Sequence, residues 1–133
     1  MRERPLGDEL LDAARSVLRD ELMPALPTDK RHAALMIANA LAIAARQLKN
    51  GDASERMELS ALEQLLSEPF GDNGDNPAAL REALVAANRK LAHWVRSGRA
   101  DDGTMRDAVR AHLASVARQK VAESNPKYLG LKS

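Results

Sequence analysis

Apolar residues recur at helical spacing in five segments, separated by breaks that contain proline or glycine. In the first segment Leu10, Ala14, Val17, Leu18 and Leu22 fall at three- and four-residue steps. This predicts an amphipathic helix over 5–22, with Pro5 at its first position and Asp8 and Glu9 near the positive end of the helix dipole. Pro24 and Pro27, in MPALP, then form a rigid elbow. An elbow this short makes the first two helices antiparallel neighbours. The second segment, 28–50, is different in kind. Its middle, Ala33–Ala45 (AALMIANALAIAA), is apolar on every side except for Asn39. A helix apolar all round needs cover on all sides, so the pattern predicts a central helix with the others arranged around it. Ala38, Leu41 and Ile37 point to different sides of that helix, and all three are expected to be nearly inaccessible. Thr28 is the expected N-cap and Asn50–Gly51 the C-cap.

The third segment, 53–67, carries Leu59, Leu62, Leu65 and Leu66, with Asp52 and Glu55 spaced as a capping box. Pro69 stops it, and FGDNGDN over 70–76 reads as a loop. That loop is not a calcium site, because its twelfth position would be Ala83, which has no carboxylate. Pro77 opens the fourth helix, which runs to about Arg96 with Leu80, Leu84, Ala87, Leu91, Trp94 and Val95 inward. Gly98–Thr104 has phosphate-loop spacing but no lysine, and it follows a helix instead of a strand. The fifth helix covers 105–123, with Thr104 and Asp107 as a capping pair and Met105, Val109, Leu113 and Val116 inward. Asn125-Pro126 ends it, since the residue before proline avoids helical angles. The expected fold is therefore all-α: a single domain spanning 1–133, a five-helix bundle around the central helix, with a short C-terminal tail.

Composition narrows the function classes. A chain of this length can bury a core without covalent staples. Cysteine is absent, which excludes disulfides and thiolate metal sites and suits a reducing cytoplasm. No segment reads as a signal peptide or a membrane span. Twenty basic residues nearly balance 19 acidic ones, for a net charge of +1, which argues against a nucleic-acid surface.

Candidate chemistry is sparse. His32, Asn39 and Arg46 recur at steps of seven and so lie nearly in line along the second helix. They are candidate ligand-binding residues: Arg46 for an anionic group, Asn39 for an amide or hydroxyl, His32 for proton transfer. Alternatively, His32 and Arg46 reach solvent at the ends and flank one buried asparagine. A buried amide requires a partner in either case, and Asn88, at the edge of the fourth helix's apolar face, is a candidate. The three histidines are dispersed, and none has the spacing of a zinc pair. Arg89, Lys90, Arg96 and Arg99 make the end of the fourth helix basic. That suits either phosphates or a solvated face that complements the negative helix terminus. No serine or threonine has the setting of an activated nucleophile, so no catalytic residue, metal or cofactor is assigned.

Two stretches carry a family resemblance: RPLGDELLDAARSVLRDELMPALPTDKRHAALMIANALAIAARQL near the start and SNPKYL near the end. Together they resemble a small bacterial helical family known only as a domain of unknown function. Its most specific parts are Arg4-Pro5, the MPALP elbow and Asn125–Leu129. The resemblance implies an accessory role beside a kinase similar to aminoglycoside phosphotransferases, in acyl-CoA-linked metabolism, and it supplies no catalytic residues. The leading expectation is a noncatalytic interaction module with a protein partner, in which Tyr128, Leu129 and Leu131 of the tail either supply apolar anchors to the partner or close the chain's own core. The other expectation is a small-molecule binder for an anionic or acyl ligand, with a polar pocket at His32, Asn39 and Arg46. A homo-oligomer is compatible with both.

Overall fold

The computed structural model describes residues 3–71 and 74–131. Among the described residues there are five α-helices: α1 Gly7–Val17, α2 Thr28–Asn50, α3 Ala53–Leu66, α4 Pro77–Arg96 and α5 Gly103–Ser124. No strand occurs among the described residues. α1 continues through a π turn at Leu18–Leu22 and a 3-10 turn at Met23–Ala25, and a second 3-10 turn, Pro126–Leu129, follows α5. By its contacts the chain divides into two compact units, Met1–Gly51 and Asp52–Ser133.

The first unit is a helical hairpin. The start of α1 lies beside the end of α2: a Cβ added at Gly7 would sit 3.1 Å from the Leu48 Cδ1. The two helices are therefore antiparallel, as the elbow requires. Glu9 holds the entry to α1 by accepting a 2.7 Å hydrogen bond from the Leu6 backbone N–H, which satisfies a donor that the first turn leaves unpaired. On α2 the buried residues are Ala34, Ala38, Ala42 and Ala45. This row of small side chains lets the α1 backbone approach closely. α1 contributes half-buried Leu11 and the π turn after it half-buried Leu18, with no fully buried residue in either.

The second unit is organised differently. Leu59, Leu62 and Leu66 of α3 pack with Leu80, Ala83, Leu84, Ala87, Leu91 and Trp94 of α4 and with Val109 of α5. Leu62 is wholly inaccessible and Leu80 nearly so. Asn76 caps α4, its Oδ1 accepting from the backbone N–H of Ala78 at 3.0 Å and of Ala79 at 3.4 Å. Past the end of α4, the Arg99 guanidinium lies 4.2 Å from the centre of the Trp94 ring, a cation–π contact that covers the ring's outer face.

Several local expectations are corrected. The all-round burial expected of α2 is not observed: Ile37 is 54% exposed, Met36 is also exposed and Leu41 is half-buried. Periodicity shows that a helix has apolar sides, but only neighbours determine which side is covered, and α2 buries its alanine row. Thr28 begins α2 and does not cap it, because the N-cap is Pro27 and no side chain caps that end. Asp52 and Glu55 form no capping box; each binds an arginine instead. Asp107 pairs with the adjacent Arg106, and the N-cap of α5 is Asp102, whose side chain makes no capping bond. Val95 and Leu113, expected to point inward, are 45% and 48% exposed. In the FGDNGDN loop, Asp72 and Asn73 lie outside the described residues.

Candidate functional site

The polar row on α2 lies on an open helix surface. His32 and Asn39 are exposed, while Arg46 is half-buried and engaged. Asn39 was expected to be buried against a facing helix, and its exposure corrects that reading. The reason is again that the covered side of α2 is the alanine row, whose centre lies roughly a quarter turn from Asn39 at about 100° per residue. Asn88 takes a local role in its own unit. Its amide donates to the Leu84 carbonyl at 3.0 Å, one turn back on α4, and to Glu58 Oε1 of α3 at 3.2 Å.

The charged residues of the second unit are paired in ways that tie its helices together. Arg56 donates from Nε and Nη2 to Asp52 Oδ2 at 3.1 and 2.8 Å, and from Nη1 to the Gly74 carbonyl at 2.7 Å. Arg81 of α4 donates from Nε to Glu55 Oε1 of α3 at 3.1 Å. The hydrogen bond from Arg56 pulls the Asp52 carboxyl below its ordinary range, and the same contact raises the Arg56 guanidinium. Glu55 acts likewise on Arg81. These groups form a clamp at the start of α3.

Of the basic cluster at the end of α4, Lys90 is ion-paired with Glu68 and Arg99 covers Trp94. Arg89 instead lines a shallow groove of about 370 Å³ with Arg81, Glu82, Val85 and Ala86, all from one helix. His93 is exposed and His112 half-buried on α5. Among the described residues no three His, Cys, Asp or Glu side chains group as a metal site, and no helix is long and apolar enough to cross a membrane.

The C-terminal tail is the most defined of the predicted interaction elements. Pro126 is buried and Leu129 half-buried, so this end of the tail is anchored. Three backbone hydrogen bonds fold it tightly: Tyr128 N–H to the Asn125 carbonyl at 3.1 Å, Gly130 N–H to Lys127 at 3.0 Å and Leu131 N–H to Pro126 at 3.1 Å. Gly130 adopts φ 71°, a left-handed conformation that glycine accepts without strain. The turn points Tyr128 and Leu131 outward, 79% and 51% exposed.

Sequence reasoning missed the outward apolar residues of the first unit, chiefly Leu10 and Val17 of α1 and Met36 and Ile37 of α2. It took them for core. The available signal was that two helices joined by an elbow cover each other along one line only.

Residues 24–128 match the model of a family described as a domain of unknown function, DUF6285, and the chain belongs to that family. No curated protein and no solved structure matches it.

Proposed function

We propose that this member of the DUF6285 family is a noncatalytic interaction module that engages a partner protein through its C-terminal turn. The observation that carries this reading is Tyr128, 79% exposed on a turn closed by three backbone hydrogen bonds. An aromatic side chain has few rotatable bonds, and a fixed backbone lowers the ordering cost of binding further. Leu131 adds an apolar neighbour, while buried Pro126 and half-buried Leu129 hold the turn to its own unit. The proposed partner is the phosphotransferase-like kinase that the sequence resemblance implies, in acyl-CoA-linked metabolism. In the sequence no serine or threonine has the setting of an activated nucleophile and cysteine is absent, which supports a noncatalytic role.

Co-expression with that kinase followed by affinity capture tests the reading. Tyr128→Ala with Leu131→Ala is expected to weaken capture by tenfold or more, about what losing one interface anchor costs, and to leave the thermal midpoint of the isolated protein unchanged. Undiminished capture would remove the tail from the interface. Turnover of an acyl-CoA by the purified chain, lost on His32→Ala, would overturn the noncatalytic reading altogether.

A further inference from the structure

The first unit has amphipathic helices but no core of large side chains. Among its described residues the four buried ones are all alanines, while Leu10 is 55% and Val17 45% exposed on α1, and Met36 and Ile37 are exposed on α2. The positions of these residues are geometrically related. At about 100° per residue, Leu10, Ala13, Ala14 and Val17 fall within a third of a turn of α1. Ala33, Met36, Ile37, Ala40 and Ala44 do the same on α2. Each stripe lies about a third of a turn from the side facing the other helix, in the same rotational sense seen from its own N-terminus. Because the helices are antiparallel, that shared sense carries both stripes to the same side of the hairpin. The hairpin therefore has one continuous apolar side.

Charge and area say what fits there. Gly7–Leu22 holds five carboxylates and two arginines, whereas α2 holds four lysines or arginines and one aspartate. α2 is about 35 Å long, and two helices roughly 9 Å apart present a face of about 600 Å². This approaches the ~800 Å² per partner of a specific interface and lies at the top of the range of about 300–600 Å² for the largest apolar patch on a monomer. We propose that two copies of this chain join through this side of the hairpin and build a four-helix bundle. Each acidic α1 then lies between the basic α2 of its own chain and the α2 of the other copy. Of the two-fold arrangements that bring the apolar sides together, one stacks α1 on α1 and α2 on α2, setting like charges side by side. The other stacks α1 on α2 and alternates the charges around the bundle, and the charges select it. The register follows from Gly7 lying level with Leu48. Ten residues further along each helix, Val17 lies level with Ala38, so Val17 of one copy meets Ile37 of the other.

The proposal does not rest on the tail's proposed role, and its test is separate. Sedimentation equilibrium of the full chain is expected to give a dimer at micromolar concentration. Leu10→Asp and Ile37→Asp should each raise the dissociation constant by about 100-fold or more, as a charge placed in an apolar interface does. Trp94 fluorescence reports whether the second unit stays folded in these variants. The chain has no cysteine, so single-cysteine variants give an independent readout. Val17→Cys and Ile37→Cys proteins are expected to cross-link when mixed under oxidation, and neither to cross-link with itself. A monomeric full chain would overturn the proposal, and efficient self-cross-linking of Val17→Cys alone would overturn the charge-directed arrangement.

Discussion

The two units of this chain use the same alanine- and leucine-rich vocabulary with opposite results. In the second unit, leucines of α3 and α4, Trp94 and Val109 converge on one cluster. Among the described residues of the first unit only alanines are fully buried, and leucines, an isoleucine and a methionine face outward. The difference lies in the number of helices. A third helix lets large side chains from α3, α4 and α5 point into a shared interior. Two helices meet along a line, and close approach along that line favours the smallest side chains. Amphipathicity is thus a demand for a neighbour, and it becomes a core only where the topology supplies one.

The strongest way to break this comparison is to empty the core of the second unit. Leu62→Ala removes a wholly inaccessible side chain and is expected to destabilise by ~2–5 kcal/mol, as other buried leucine truncations do. The single tryptophan makes the measurement selective: Trp94 fluorescence during denaturation follows the second unit, while circular dichroism follows both. A loss below 1 kcal/mol would show that the leucine cluster does not sustain the unit. The comparison is sharpened on the other side by enlarging an alanine. Ala38 is 1% exposed, and Ala38→Leu should force the hairpin apart at a cost of ~1–3 kcal/mol, seen by circular dichroism with the Trp94 transition unmoved. A neutral result would mean that the alanine row is not a close-packed seam.

The smallest expected effect concerns the clamp at the start of α3. Arg56 depresses the Asp52 carboxyl, so the ionised form is favoured by folding. Its contribution is present above the ordinary carboxylate range and is lost as pH falls through the depressed folded value. The second unit should therefore lose a little stability below about pH 4. Asp52→Asn should flatten that part of the profile, and an unchanged acid limb would show the exposed pair to be energetically silent.

Much of the local structure was legible in the chain. Pro24 and Pro27 end the first helical segment, Gly51 ends α2, Pro77 opens α4, and Asn125-Pro126 ends α5, with α2 and α4 spanning the predicted residues. Side-chain pairings were harder to read. Asp52 and Glu55 have capping-box spacing, yet they bind Arg56 and Arg81, because an arginine brought within reach by the next turn or the next helix outcompetes a backbone amide that water can also satisfy. Asn76, which does cap α4, was hidden in a loop rich in equivalent Asp and Asn residues.

What the sequence determined by itself is where helices begin and end and which sides of them are apolar, since both depend on interactions within a few residues. Which apolar side is covered was decided only by tertiary structure. The all-round apolar run predicts burial for Ile37 and Asn39 on α2, and the three- and four-residue spacing predicts it for Leu62 on α3, yet of these only Leu62 is enclosed. Burial depends on the position and number of neighbouring helices, set by contacts between residues far apart in the chain, and periodicity carries no record of those.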